Sequence, residues 1–274
     1  MLRYLLLPLL LLVASCANLP KEKYNQFNLD IELVEQEGHT MIQVKNPILA
    51  PLRIWVSSDL DTIQNQLSST KMPLVLSPLA DTAIQLLGLG LSMENFSFRI
   101  GIGDPAHQVS VQSLALPFQQ GASYNLMQGY NSKPSHNTDY SRYAFDFDLA
   151  IGDTICAATS GFVVGVIEEY SKGGKDKKWR DYANFVTLFD PVSGIYTQYV
   201  HLDYMGSLVE LGDTVVLGQA IGISGSTGYS TDPHLHFNVL RTVNTGQIMI
   251  SMPLDSIGNY KVSDLRRGQS LVND

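Results

Sequence analysis

The run STDPHLHFNVL, residues 230–240, limits what this chain can fold into more than any other stretch. From His234 onward it alternates, with His234, His236 and Asn238 on one side and Leu235, Phe237 and Val239 on the other. Period two marks a β-strand with one buried face, because successive side chains point to opposite faces of a sheet. Two imidazoles on the polar face pack a core poorly. They are well placed to hold a metal and to set a second imidazole beside it. Two ring nitrogens do not complete a metal site, so the remaining ligands must come from elsewhere in the chain.

The rest of the 274 residues shares this texture. NLDIELVE alternates, with Leu29, Ile31 and Leu33 on one side. TMIQVKN, LRIWVSS, MPLVLS and NFSFRIGIG follow, the last with Phe96, Phe98, Ile100 and Ile102 on one apolar face, and Gly, Pro, Asn and Asp separate the runs. These predict an all-β chain whose first part, residues 27–115, is a small β-sandwich. A short helix is expected near DTIQNQLSS or DTAIQLLGL, and no long amphipathic helix is. Around residues 106–135 the chain turns loop-like, with Gly121, Gly129, Asn131 and Pro134 as turn formers, which marks a domain junction. Candidate strands resume in a second domain, residues 116–250: YAFDFDLA, GFVVGVIEEY, ANFVTLFD, GIYTQYVH, TVVLG and QAIGISG. The basic run SKGGKDKKWRD, residues 171–181, reads as a solvated hairpin loop. Residues 251–274 form a polar C-terminal tail.

A formal net charge of −8, from 18 basic and 26 acidic residues, leaves no basic footprint for nucleic acid. Of the two cysteines, Cys156 lies in TICAA among apolar and small residues and reads as a small core hydrophobe, so no disulfide staples the fold. The N-terminus, MLRYLLLPLLLLVASC, has Arg3, an apolar stretch from Leu5 to Leu12 and small residues before Cys16, the layout of a secretory signal over residues 1–15. Val13, Ala14, Ser15 and Cys16 resemble the bacterial lipoprotein signal, in which the cysteine carries the lipid. That resemblance implies export in a bacterium and membrane attachment at Cys16, where several acyl chains together anchor firmly. Residues 16–26 would then be a polar tether. Ala17, where an Asp would resemble an inner-membrane retention signal, favours the outer membrane, facing the periplasm.

Four of the six histidines fall in the second half: His136, His201, His234 and His236. His39 and His107 lie in polar loop sequence and read as surface residues. Zinc takes imidazole nitrogens with a carboxylate, and a hydrolytic site keeps one position for water. After His136 the carboxylates are Asp139, Asp146, Asp148 and Asp153. Asp146 and Asp148 share a face of YAFDFDLA, and a carboxylate held on a strand is better placed than Asp139 in its loop. Periodicity does not choose between those two. His201 ends GIYTQYVH and shares a face with Tyr199, Thr197 and Ile195.

The ordered set resembles the lysostaphin-like zinc metallopeptidases, which cut peptide bonds in bacterial peptidoglycan. His136 and Asp146, with Gly152, Asp153, Thr154, Ile155, Cys156 and Ala157, match the opening of the family pattern. Tyr199, His201 and Leu202, then Gly212, Asp213 and Val215, continue it. The Gly-rich approach from Gly218 to Gly228 leads to His234, Leu235, His236 and Phe237, the His-x-His signature. The resemblance covers residues 118–241 and implies an antiparallel β catalytic domain of the duplicated hybrid motif type, with a groove over the metal. It also settles the carboxylate, since the offset to Gly152 matches Asp146. By carry-over, His136, Asp146 and His236 ligate Zn2+, and His201 and His234 are the catalytic histidines that do not. The substrate implied is a peptidoglycan cross-link or bridge peptide; a non-catalytic activator of other wall hydrolases, or a peptidase for a non-wall peptide, is the alternative. Two departures stand out. The gap from His136 to Asp146 is ten residues, where the type members have three, so SHNTDYSRY forms an excursion near the groove. Asp190 stands where many members have a histidine.

Overall fold

The period-two runs become strands, and the computed structural model, which describes residues 18–111, 113–245 and 249–274, is built mostly of them. The signal segment and Cys16 lie outside the described residues. The first six strands are β1 (Asp30–Gln36), β2 (His39–Lys45), β3 (Leu52–Ser58), β4 (Leu74–Leu76), β5 (Asp81–Leu87) and β6 (Phe96–Ile102). They form two three-stranded sheets, ordered β1–β2–β5 and β4–β3–β6. Ile42, Val44, Ile84 and Leu86 from one sheet meet Leu52, Ile54, Val56 and Phe96 from the other in a single buried cluster, so this part is a β-sandwich. A short helix, α1 (Asp61–Leu67), forms at DTIQNQL and buries Ile63 and Leu67. DTAIQLL is not helical. Its Ile84 and Leu86 alternate with exposed Gln85 and Leu87 and pair with β2, so the strand period wins there.

The second half opens with β7 (Ser113–Leu114), β8 (Ser123–Gln128), β9 (Phe145–Phe147), β10 (Thr154–Cys156), β11 (Gly161–Ile167) and β12 (Gly173–Gly174). It continues with β13 (Phe185–Phe189), β14 (Tyr196–Val200), β15 (Leu202–Ser207), β16 (Thr214–Val215), β17 (Ala220–Ser224) and β18 (Gly228–Tyr229). The histidine strand is β19 (Leu235–Thr242), followed by β20 (Met249–Ser251), β21 (Ser256–Ile257), β22 (Tyr260–Lys261) and β23 (Ser270–Val272). A nine-stranded sheet runs β16–β11–β13–β14–β19–β9–β8–β23, with β20 paired to β19. Residues 251–274 thus return to the fold, with Leu271 of β23 in the core and β21 paired to β7.

The register of this sheet sorts one face into three rows. Phe185, Val200, His236 and Asp146 stand side by side in the first. Thr187, Gln198 and Asn238 form the second, and Phe189, Tyr196 and Leu240 the third. The third row lies under the sandwich, because Phe189, Tyr196, Leu240 and Val164 belong to the sandwich's own buried cluster. The opposite face, with Phe237, Val239, Tyr199 and Leu188, packs into the second core. The histidine strand is therefore not half-buried as its alternation suggests. Asn238 and Leu240, on its histidine face, are both fully buried, Leu240 under the sandwich and Asn238 against Tyr140 and Ser251, where a free-standing sheet would meet water.

Candidate metal centre

His136 sits buried in the turn after β8, and its Nδ1 lies 3.0 Å from the carbonyl oxygen of Gly129. A carbonyl only accepts, so the ring proton belongs on Nδ1 and Nε2 presents a lone pair. That Nε2 is 3.1 Å from Asp146 Oδ1 and 3.3 Å from His236 Nδ1, and His236 Nδ1 is 2.8 Å from Asp146 Oδ1. The register explains the meeting, because His236 and Asp146 are direct cross-strand partners. Three electron-rich atoms this close need a cation or shared protons between them. Ligands of a tetrahedral zinc, each about 2.0–2.1 Å from the ion, stand about 3.3 Å apart, so the spacing fits that ion. His136, Asp146 and His236 form a His-His-Asp cluster consistent with a single catalytic zinc site.

Electrostatics prepare the same state. Burial pushes the Asp146 carboxyl up, but hydrogen bonds and charge from His136 and His236 overcome it and hold the group well below the usual carboxylate range. Burial lowers the His236 imidazole, outweighing the opposing pull of Asp146. An ionised carboxylate beside a neutral imidazole is the protonation state that binds a metal. The other nearby carboxylates are spent elsewhere. β9 ends at Phe147, so Asp148 leaves the strand face and accepts hydrogen bonds from the backbone and side-chain amides of Asn125. Asp139 pairs with Arg142, and Asp153 accepts from the Ala150 N–H.

Two further imidazoles face this cluster. His234 directs Nδ1 at the Asp232 carbonyl, 2.8 Å away, and its Nε2 stands 3.9 Å from Asp146 Oδ1. His201 sits with its ring centroid 4.5 Å from that of His234 and 6.1 Å from that of His236. Strand alternation would send His201 into the core with Tyr199. Instead its φ is 73°, a left-handed kink that ends β14 and turns the side chain toward the cluster. The kink is held from both sides: the Asn184 carbonyl accepts from the His201 and Leu202 amides, and the His201 carbonyl accepts from Gly225. His201 Nδ1 donates to the Thr227 carbonyl at 2.7 Å, which leaves Nε2 facing the cluster. Burial, reinforced by His234 and His236, holds this imidazole well below its ordinary value.

Sequence reasoning missed Asn184, and it saw Thr227 only as part of the Gly-rich approach, without its role. Asn184 is fully buried and ties together the Tyr170 and Asp203 carbonyls, while the Thr227 hydroxyl links the Asn184 amide to the Leu202 carbonyl. Nothing in their sequence surroundings sets them apart, because their partners are backbone atoms from distant segments. His107 is exposed and His39 half-buried, both away from the cluster. Asp190 caps a turn through the Val192 amide and the Ser193 hydroxyl.

A groove of about 640 Å³ passes over the cluster, with Thr187, Gln198 and Val200 among its floor residues and Tyr140, Tyr229 and Arg180 among its walls. The basic run that supplies Arg180 keeps its charged side chains exposed, but it is not a hairpin loop. Trp179 is buried against Gly174, and Gly173–Gly174 pairs in parallel with Gly228–Tyr229, so this segment builds one side of the groove.

Comparison with known proteins agrees with the geometry. Residues 140–249 match the model of peptidase family M23. Lysostaphin of Staphylococcus simulans is 36% identical over 126 residues, which is 45% of this chain and 22% of that protein. Peptidoglycan DD-endopeptidase ShyB of Vibrio cholerae is 30% identical over 148 residues, 52% of this chain and 32% of that protein. The match therefore spans a third or less of these relatives' own length. Among solved structures, that of lysostaphin from Staphylococcus simulans aligns at 35% identity over 45% of this chain and 44% of that one, with a TM-score of 0.34.

Proposed function

We propose that the protein is a zinc-dependent endopeptidase that hydrolyses peptide bonds in peptidoglycan cross-links or bridges, a reading supported by the match of residues 140–249 to the model of peptidase family M23. The observation that carries the reading is the convergence of His136 Nε2, Asp146 Oδ1 and His236 Nδ1 on one point, with His201 and His234 facing it. Zinc bound there would supply Lewis-acid polarisation of the scissile carbonyl and lower the pKa of a coordinated water. The chain's own residues do the rest. His136, Asp146 and His236 are the ligands, and the Gly129 carbonyl orients His136. His201 and His234, each with Nδ1 engaged by a backbone carbonyl, present Nε2 to accept a proton from the attacking water and return it to the leaving amine. The groove floor beside Val200 and Gln198 receives the peptide.

The substrate assignment is supported by the peptidoglycan DD-endopeptidase among the relatives. Its test is zinc-dependent digestion of isolated peptidoglycan with mass analysis of the released fragments, comparing the protein with His236→Ala. A variant that digests as well as the parent would sink the assignment. Stoichiometric zinc without cleavage of wall or peptide would favour a non-catalytic activator of other wall hydrolases. Lipid attachment at Cys16, on the outer membrane facing the periplasm, is supported by the residues that precede the cysteine. Fatty-acid labelling that persists in Cys16→Ser would overturn it.

A further inference from the structure

The groove beside the metal cluster carries a side chain that the family pattern does not supply. Tyr140 belongs to the excursion between His136 and Asp146, and it lies across the second row of the sheet. Its backbone carbonyl accepts from Asn238 Nδ2 at 2.6 Å on β19. Its hydroxyl donates to Gln198 Oε1 at 2.9 Å on β14, and Gln198 in turn reaches Thr187 on β13. Ser251 locks the segment from behind: its amide donates to the Asp139 carbonyl, its hydroxyl to Asn238 Oδ1, and the Tyr143 amide donates back to it. The ring itself remains exposed and lines the groove.

Rows two residues apart along a strand are separated by about 7 Å. Tyr140 therefore forms a bar parallel to the row that holds His236 and Asp146, one row away, with the sandwich behind it. A peptide whose scissile bond sits at the cluster has this bar along one side. We propose that Tyr140 is a specificity-determining residue that limits the size of the side chain flanking the scissile bond on that side. This rests on the peptidase reading and adds to it which residue enforces selection, and against what. The excursion reaches over β19 and β14, and its anchors make the wall rigid rather than adaptable.

The test compares kcat/KM for paired peptides that differ only in a small or a leucyl-sized side chain beside the scissile bond, with zinc content and Tm measured for every variant. Tyr140→Ala raises the large-to-small ratio by about tenfold or more, the scale on which a pocket discriminates side-chain volume. Tyr140→Phe, which loses only the Gln198 bond, changes the ratio by less than about threefold, and Tyr140→Trp lowers it. The same ratio is read as binding of non-hydrolysable phosphinic peptides, small and large, to the zinc-loaded protein. A Tyr140→Ala that alters both substrates by one common factor, or leaves the binding ratio unmoved, overturns the proposal. A parent protein that cleaves nothing, yet whose phosphinic-peptide ratio shifts on Tyr140→Ala, would retain the wall and discard the peptidase reading.

Discussion

Asp146 is the residue where charge and shape can be separated. Asp146→Asn keeps the side-chain outline but removes the anion that His136 and His236 surround. Zinc affinity is expected to fall by at least about two orders of magnitude, measured by competition with a chelating dye, and hydrolysis to fall with it. His201 gives a second test, on stability. Its imidazole is held well below its ordinary value by burial and by His234 and His236, and burial lowers His236 as well. Below about pH 6.5 the unfolded chain therefore takes up protons that the folded one refuses, and stability falls as pH falls toward the depressed folded values, by up to about 1.4 kcal/mol per pH unit for each group. Asp146 has the same sign further down, since its folded pKa is also depressed. Thermal unfolding of the metal-free protein from about pH 7 to about pH 5 should show Tm dropping, and His201→Gln should flatten that drop. An unchanged slope in the variant would mean that His201 does not carry it.

At the scale of single elements, the kink after β14 and the strand behind it work as a pair. Gly225 donates its amide to the His201 carbonyl, and a Cβ added there would lie 2.5 Å from the Asp203 backbone nitrogen and Cα. Backbone cannot swing aside as a side chain can. Gly225→Ala should cost about 1–3 kcal/mol by denaturant unfolding and displace His201, so kcat falls more than zinc affinity does. The alternation of β19 and the ligand order along the chain are legible in the sequence, because a metal site needs particular residue types and a strand has a fixed period. What periodicity could not choose, Asp146 or Asp148, turns on where β9 stops, and strand ends depend on hydrogen bonds to other segments. His201 defeated the period for a similar reason, since one left-handed residue moves a side chain from one face to the other. The excursion was visible as extra length, but Tyr140 acquires its place only when Asn238 and Gln198 bond it and Ser251 holds Asp139 and Tyr143 on either side.

For the whole molecule, the consequential fact is that the sandwich and the metal-bearing sheet share a core. Val164, Phe189, Tyr196 and Leu240 of the sheet are buried together with Ile54, Leu76 and Ile102 of the sandwich. The contact is also polar: the buried Arg53 of β3 donates to the Val243 carbonyl just beyond β19, at 2.9 Å. Near the groove's other flank, Tyr24 donates its amide to the Tyr170 hydroxyl, and Gln26 packs its side chain on Gly165. Alternation within a strand records that both faces are occupied, not by what, so this docking was invisible in the sequence. Deleting residues 18–111 should expose four large apolar side chains, each contributing about 1.5–3 kcal/mol when buried. The shortened protein is therefore expected to bind a hydrophobic dye and to unfold at a Tm lower by ten degrees or more, on the order set by several kcal/mol in a domain of this size. If it instead keeps the parent's Tm and binds no dye, the shared core contributes little, and the sandwich is a separable attachment rather than the back wall of the groove.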